Sequence, residues 1–347
     1  MIAAAGTGGH IYPGLSIAEY FHNNKYEVSW VGTHNGMENK LVNKSLYNFY
    51  AIEMKGVRGK GILSWLSLPF KLFYAIYESF LFIRKVRPKF LILMGGYICV
   101  PVAIAGSLQG LTIVIHEQNA IPGLSNKLLS FIVKKTFVGF KNKLRNSIVV
   151  GNPIRENLYE ILEITKRFKD RKGPLRILIF GGSLGAKKIN ELLPIILFKV
   201  SKKKNIQIIH QSGEHYYKSL LKEYKKYQME VKAVKYINDM EVNYSWADIV
   251  IARSGALTVT ELSEVGLASI LIPFPYAVDN HQYLNAKVLS QKGASKIIME
   301  ERIEQELEEY LLSINRKKCV EMAQNAKVEN RQEACKKIYE YLESNEK

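Results

Sequence analysis

Aspartate is missing from the first 155 residues of this chain of 347 residues. That stretch holds 18 Lys or Arg against 6 Glu, whereas the remainder holds 31 basic against 26 acidic residues. Carboxylates are the main protein ligands of Mg²⁺, and no His, Cys or Asp group has metal-site spacing, so we expect no obligatory catalytic metal. The positive charge favours an anionic partner, such as nucleic acid, acidic lipid or a phosphorylated substrate. A lysine-rich genome is the alternative explanation, and it accounts less well for the acid-poor first half.

Cysteine is also scarce, since the chain holds Cys99, Cys319 and Cys335 alone. Their wide spacing indicates a reducing compartment and no disulfide framework. The N-terminus enters a short apolar strand and a glycine turn directly, so we expect no secretory signal.

The longest apolar stretch, residues 62–83, approaches the length of a membrane span. It is interrupted by Pro69, Lys71 and Glu78, and the basic run 84–87 follows it. Charged residues are costly inside a bilayer. We therefore predict an amphipathic helix on the domain surface or in the membrane interface, not a spanning helix.

A glycine-rich turn occurs once in each half of the chain, at Gly6–His10 and at Gly181–Ala186. Each turn follows a short apolar run and precedes a helix-like segment, and such units can hold an anion on backbone N–H groups. The pair predicts an α/β chain with two doubly wound, Rossmann-like domains that face one cleft. Neither turn has the full G-x-G-x-x-G form, which disfavours a dehydrogenase. The crossing segment at Gly151–Arg155 places the domains at residues 1–155 and 156–327.

Two polar segments of the first half suit hydroxyl chemistry. His10 closes the first glycine turn, and a histidine ring can take a proton from a hydroxyl near neutral pH; a histidine that caps the next helix is the alternative. The loop His116–Asn119 follows a predicted buried strand, where open α/β sheets place ligands. Its carboxylate and amides are suited to orienting hydroxyls or a histidine, or to stabilising their own loop.

Small and polar residues of the second half suit a phosphorylated sugar. Ser183 can give its N–H and hydroxyl to a phosphate, and Ser254–Thr258 opens a helix whose dipole favours a diphosphate by about 0.3–1 kcal/mol. Glu261, one turn further, can accept from both hydroxyls of a ribose, or can be an ordinary first-turn glutamate that complements the dipole. Other polar groups for sugar and phosphate are supplied by Gln282, Asn285 and Arg155.

Eight motifs follow one another along nearly the whole chain. They are GTGGHIYPG (6–14), GVRGKG (56–61), GGY (95–97), HEQN (116–119), GNPIR (151–155), GGSLGA (181–186), RSGALT (253–258) and HQYLNA (281–286). Together they resemble the MurG family, the bacterial transferases that add N-acetylglucosamine to the lipid-linked muramyl-pentapeptide precursor of peptidoglycan. One departure is Ala5, where many relatives carry another glycine; alanine tolerates positive φ poorly, so the turn would start differently.

The resemblance implies a GT-B fold, with an acceptor domain first, a UDP-sugar domain second and a C-terminal helix of about 328–347 that returns to the first domain. It implies an inverting, metal-independent enzyme without a cofactor. The donor would be UDP-N-acetylglucosamine (UDP-GlcNAc), and the acceptor the C4 hydroxyl of undecaprenyl-diphosphate-linked MurNAc-pentapeptide (lipid I), giving lipid II for the cell wall. The alternatives are a GT-B glycosyltransferase with another lipid acceptor, such as diacylglycerol, and a nucleic-acid-binding protein, although RNP and helix-turn-helix signatures are missing.

The resemblance also assigns roles by position. The general base would be His10, supported by Glu117. Contacts near the sugar and acceptor would come from Thr7, Gly8, Gly9 and Asn119. Donor contacts would come from Arg155, Ser183, the backbone of Ile237 at the uracil, the segment Ala256, Leu257, Thr258, Val259 and Thr260 at the diphosphate, Glu261 at the ribose, and Gln282 and Asn285 at the sugar hydroxyls.

The basic first half thereby gains a partner, because the acceptor lies in a leaflet whose anionic surface attracts each nearby Lys or Arg by about 1 kcal/mol. The docking patch would be the segment Trp65–Phe82 together with Lys71, Arg84, Lys85 and Arg87. We therefore expect a peripheral protein on the cytoplasmic face of the inner (plasma) membrane, with no nucleic-acid partner.

Overall fold

The computed structural model describes residues 1–54, 67–327 and 333–345. The chain divides into two compact units, one formed by Met1–Ile154 with Gln332–Lys347 and the other by Arg155–Arg331. The motif at 56–61, Trp65, and residues 328–332 and 346–347 of the expected C-terminal helix lie outside the described residues.

Strands and helices alternate along the described residues, as expected for an α/β chain. The strands are β1 Ile2–Ala3, β2 Ser29–Thr33, β3 Asn48–Ile52, β4 Phe90–Leu93, β5 Thr112–Glu117, β6 Lys135–Val138, β7 Ser147–Val149, β8 Leu175–Phe180, β9 Ile206–Gln211, β10 Lys232–Val234, β11 Ile249–Ala252, β12 Ala268–Leu271 and β13 Ser295–Ile297. The α-helices are α1 Gly8–Asn23, α2 Glu38–Leu41, α3 Leu68–Val86, α4 Cys99–Leu108, α5 Leu124–Leu129, α6 Ile164–Phe168, α7 Lys187–Ser201, α8 Tyr217–Lys226, α9 Met240–Trp246, α10 Ala256–Val265, α11 His281–Ser290, α12 Ile303–Ser313, α13 Arg316–Ala326 and α14 Ala334–Ser344. Short 3₁₀ helices lie at Glu156–Glu160, Glu214–Tyr216, Val278–Asn280 and Glu300–Arg302.

The first unit is built on a parallel sheet which, in the described residues, has seven strands in the order β3-β2-β1-β4-β5-β6-β7. β1 is central, because Ile2 lies opposite both Trp30 of β2 and Ile92 of β4. All four residues of β4 are buried, as expected of a parallel strand covered on both faces. Two consecutive residues of β4, Leu91 and Ile92, accordingly belong to the cores on opposite faces of the sheet.

The C-terminal helix α14 belongs to the first unit. Ala334, Ile338 and Leu342 are buried, and their four-residue spacing forms one apolar stripe of the helix. That stripe joins the core formed by α1, and the ring of Tyr339 packs edge-on against Phe21 at a centroid distance of 5.3 Å. The C-terminal segment therefore completes one face of the first sheet.

The second unit repeats the architecture with a parallel sheet of six strands within the described residues, in the order β10-β9-β8-β11-β12-β13. β8 pairs with β9 on one side and with β11 on the other. Ile177 and Ile179 of β8 face a core to which α7 contributes Leu193 and Leu197. The carboxyl ends of β8 and β11 thus lie side by side, and the glycine turn 181–186 and the segment 253–258 follow these two ends.

The first glycine turn was expected to precede a helix, but the helix begins within the turn. α1 begins at Gly8, the third residue of the motif 6–14. The carbonyl of Thr7 already accepts from the N–H of His10 at 3.0 Å and of Ile11 at 3.3 Å, so the glycines form the first helical turn.

Candidate functional site

The first glycine turn places His10 in the first turn of α1, directly after the central strand β1. The loop after β4 lies against it, and Gly95 and Gly96 there have φ of +98° and +90°. A Cβ on Gly95 would lie 3.0 Å from His10 Nδ1, and one on Gly96 would lie 2.8 Å from the carbonyl oxygen of Ala5. The motif at 95–97 therefore serves the close approach of two backbone segments around the histidine.

Gln118 is the side chain that contacts the His10 ring. Its Oε1 lies 3.0 Å from His10 Nδ1, and its Nε2 donates to the carbonyl of Met94 at 2.9 Å. The same Nε2 lies 3.2 Å from Nδ1 of His116, whose Nε2 lies 2.9 Å from the carbonyl oxygen of Gly151. Complete burial lowers the pKa of His116 to about 4. The sequence predicted that the amides of the loop 116–119 could orient a histidine, but it did not single out Gln118, because this contact depends on the meeting of β4, β5 and α1.

Glu117 holds its own loop, which is the alternative that the sequence left open, and its support of His10 stays a prediction. Oε1 accepts from the backbone N–H and the amide of Asn119, at 2.9 and 3.2 Å. Oε2 accepts from the N–H of Gly123 at 3.0 Å and from the amide of Asn126 at 2.9 Å. β5 runs on to Glu117, so this carboxylate is the last residue of the strand and fixes the loop that follows. Asn119 is therefore positioned through Glu117.

The remaining expected residues of the first unit surround His10. Thr7 is the N-cap residue of α1, and Gly8 and Gly9 form its first turn. Thr7 and Gly9 are exposed, whereas His10 is half-buried. This arrangement leaves the start of α1 accessible to a ligand next to the imidazole.

The second unit holds a buried carboxylate, Glu261, which is 8% exposed. Tyr244 donates from its hydroxyl to Oε2 at 2.8 Å, and Arg155 Nη2 lies 3.9 Å from Oε1. Burial raises the pKa of Glu261, while Arg155 and the Tyr244 hydrogen bond oppose that rise. Burial also raises the pKa of Tyr244 well above its ordinary value, so its hydroxyl is a donor at neutral pH. Sequence reasoning missed Tyr244, since it lies on α9 with no motif around it.

Helix α10 begins at Ala256 with Gly255 as its N-cap, as predicted. The first N–H groups of a helix lack intrahelical acceptors, so Ala256, Leu257 and Thr258 can present theirs to an anion. Val259 cannot, because its N–H donates to the carbonyl of Gly255 at 3.0 Å and its side chain is fully buried. The N–H and the side chain of Val259 are therefore both occupied within the unit, and its ligand contact stays a prediction.

Several other expected donor residues support the loops of this unit. Gln282 Oε1 accepts from the N–H of Phe274 at 3.0 Å, and the buried Asn285 donates to the carbonyl of Ser254 at 3.3 Å. Thr260 Oγ1 donates to the carbonyl of Ala256 at 3.0 Å. These contacts fix the segments on either side of the α10 start.

The second glycine turn differs from the first in its distance from the helix. α7 begins at Lys187, so the half-buried Ser183 lies in the preceding loop. Gln211 ties this loop to the next one, since its amide donates to the carbonyl of Gly182 at 3.0 Å and its oxygen accepts from the N–H of Ile237 at 2.9 Å. A backbone contact of Ile237 with a base would therefore use its carbonyl.

The exposed face of α3 is apolar and aromatic. Phe70 is 80% and Phe73 74% exposed, and Tyr74, Tyr77 and Leu81 are exposed beside them. Lys71, Arg84, Lys85 and Arg87 are exposed along and after the same helix. Throughout residues 1–54, 67–327 and 333–345, the structure has no helix that is long and apolar enough to cross a membrane. Over the same residues, it brings together no group of three His, Cys, Asp or Glu side chains that could hold a metal ion.

Two family models, curated relatives and a solved structure match this chain along most of its length. The model of the glycosyltransferase family 28 N-terminal domain matches residues 1–138, and that of the family 28 C-terminal domain matches residues 176–338. A protein of Nitrosospira multiformis is 39% identical over 331 residues, 94% of this chain and 93% of its own. One of Coxiella burnetii is 39% identical over 98% of either chain. Both are named UDP-N-acetylglucosamine--N-acetylmuramyl-(pentapeptide) pyrophosphoryl-undecaprenol N-acetylglucosamine transferase. The crystal structure of Acinetobacter baumannii MurG superposes with a TM-score of 0.82, at 33% identity and 99% coverage of both chains.

Proposed function

We propose a function for this chain, which belongs to the MurG family within glycosyltransferase family 28 and has the GT-B fold. The chain transfers N-acetylglucosamine from UDP-GlcNAc to the C4 hydroxyl of lipid I and so forms lipid II for peptidoglycan. The observation that carries this proposal is the near-complete coverage by relatives at 39% identity that share one printed activity.

The second unit binds the donor in this proposal. The start of α10 faces the diphosphate with the N–H groups of Ala256, Leu257 and Thr258, and Arg155 adds a positive charge. Glu261 accepts from the ribose hydroxyls while Tyr244 holds its other oxygen at 2.8 Å. The N–H groups at the start of α10 and the charge of Arg155 stabilise the negative charge that develops on the leaving UDP.

The first unit supplies the base. The acceptor oxygen forms a bond to the anomeric carbon as the bond from that carbon to the UDP oxygen breaks, and His10 receives the hydroxyl proton. A general base of this type contributes about 10²–10⁴-fold to the rate. The accessible start of α1, with Thr7, Gly8 and Gly9, is where the acceptor sugar approaches the imidazole.

The proposed reaction is tested by incubating the full chain with UDP-GlcNAc and a soluble lipid I analogue. We expect UDP release and a product heavier by one N-acetylhexosamine in mass spectrometry. Diacylglycerol in place of the analogue should give no product. Transfer to diacylglycerol but not to the lipid I analogue would contradict the proposed acceptor.

We further propose that the exposed face of α3 docks on the anionic cytoplasmic face of the plasma membrane as a peripheral contact. Phe70 and Phe73 enter the interface, while Lys71, Arg84 and Lys85 attract acidic headgroups. Each basic residue near such a surface contributes about 1 kcal/mol, and salt screens this attraction.

Vesicle flotation tests the docking. The double variant Lys71→Gln/Lys85→Gln should bind vesicles of phosphatidylglycerol about 30-fold more weakly, from a loss of about 2 kcal/mol. Phe70→Ser should also weaken binding, whereas Val242→Ser, at an exposed apolar residue of the second unit, should not. Binding that does not change with salt, or no binding, would refute the electrostatic part.

A further inference from the structure

Gln118 lies at the centre of a chain of hydrogen bonds that ends at His10. The amide is 1% exposed, and its two ends face different kinds of group. Nε2 faces the carbonyl oxygens of Met94 at 2.9 Å and of His116 at 3.2 Å. A carbonyl oxygen can only accept, so the nitrogen end of the amide must point to these two oxygens. Oε1 is thereby fixed toward His10 Nδ1, 3.0 Å away.

The neighbouring His116 reinforces this orientation. Its Nε2 faces the carbonyl oxygen of Gly151 at 2.9 Å and must therefore carry a proton. The ring is fully buried, and burial keeps it neutral by lowering its pKa to about 4, so Nδ1 has no proton. Nδ1 and the carbonyl oxygen of His116, both 3.2 Å from Gln118 Nε2, then share one of the two amide protons, and a reversed amide would set acceptors against each other.

The orientation of Gln118 decides the tautomer of His10. Since Oε1 is an acceptor only, Nδ1 of His10 must be the donor of the 3.0 Å contact. A neutral imidazole carries one proton, so the basic lone pair of His10 lies on Nε2. Once Nε2 has received a proton, the Nδ1–H bond to Gln118 persists and supports the imidazolium without adding a charge.

We propose that Gln118 is a positioning residue that holds His10 in the Nδ1–H tautomer, with Nε2 as the atom that receives the acceptor proton. The catalytic meaning of this inference rests on the proposed function of His10 as the base. The tautomer itself does not, and it can be measured without substrate.

The test is nitrogen NMR of the imidazole rings in the full chain labelled with ¹⁵N-histidine, which has seven histidines. The signals of His10 are identified by their loss in His10→Ala. We expect neutral His10 to carry its proton on Nδ1 in the wild type, and to lose this preference in Gln118→Met. Gln109→Met is the matched control, because Gln109 is a half-buried glutamine of the same unit whose amide donates to the carbonyl of Phe80; it should leave His10 unchanged.

A proton on Nε2 of wild-type His10 would overturn the inference; this readout comes from the wild-type chain, and only the assignment of its signals uses His10→Ala. An unchanged His10 tautomer in Gln118→Met would overturn it as well. In the transferase assay, Gln118→Met should lower kcat by about 10- to 100-fold and leave the KM for UDP-GlcNAc unchanged. A wild-type chain with the expected tautomer but no transfer to the lipid I analogue would refute the proposed function and leave the positioning of His10 intact. Transfer with the opposite tautomer would refute the role of Gln118 alone.

Discussion

Glu261→Gln should weaken UDP binding. In the ligand-free protein, it should also make the free energy of unfolding less sensitive to rising pH. The carboxylate is 8% exposed, and in the proposed complex it accepts two hydrogen bonds from the ribose. Bonds to a charged acceptor are stronger than bonds to a neutral one by about 1 kcal/mol each. Two such bonds give about 2 kcal/mol, or roughly a 30-fold increase in Kd.

The stability effect of the same substitution has a defined sign. Burial raises the pKa of Glu261, so the folded state favours the protonated form. The contribution of this group to the free energy of unfolding is fully present below its ordinary pKa of 4.5, and it is lost as the pH rises through the folded-state pKa. Glutamine does not titrate, so the free energy of unfolding of the variant, relative to that of the wild type, should increase between pH 4 and pH 7.

Isothermal titration calorimetry with UDP and urea unfolding at the two pH values measure both effects. Glu264→Gln is the matched control, because Glu264 lies on the same helix and is also 8% exposed. It should leave the Kd for UDP within about twofold of the wild type, the range expected of an indirect effect. An unchanged Kd in Glu261→Gln would refute the ribose contact.

Two further predictions concern stability. Burial lowers the pKa of His116 to about 4 and that of His210 to about 3. Each neutral ring should therefore stabilise the fold above pH 6.5, and its contribution to the free energy of unfolding should fall by roughly 3 kcal/mol as the pH falls toward 4. Urea unfolding measures this loss; His210→Gln should have a flatter pH dependence, and an unchanged dependence would count against a buried neutral histidine. Asp248 is fully buried between two arginines whose nitrogens lie 2.9 and 3.0 Å from its carboxylate, so Asp248→Asn should lower the free energy of unfolding by about 3–5 kcal/mol. Lys187→Gln, in an exposed ion pair, should lower it by at most about 1 kcal/mol. A loss below about 1 kcal/mol in Asp248→Asn would contradict the buried network.

The sequence predicted those parts of the fold that depend on local pattern. Continuous apolar runs such as Phe90–Leu93 identify buried parallel strands, and the four-residue spacing of Ile338 and Leu342 identifies the buried face of α14. The start of α1 was misplaced because Gly8 and Gly9 have low helix propensity. The residues on either side of them, Ala5 and His10, contact the loop after β4, and no local pattern records such contacts.

The candidate site shows the same division. Glu261 and the start of α10 were predicted, since a small-residue turn before a helix has a direct physical meaning. Tyr244 was missed and Gln118 was not singled out among the amides of its loop, because each contacts a distant segment of its unit. Sequence spacing also does not tell which of the two adjacent side chains, Glu117 or Gln118, points toward His10.

The most direct test of the central claim is the kcat of His10→Ala with UDP-GlcNAc and the soluble lipid I analogue. Loss of the general base should lower kcat by about 10²–10⁴-fold. The Kd for UDP should stay unchanged, because the donor groups lie in the second unit. A kcat near that of the wild type would show that His10 does not take the acceptor proton.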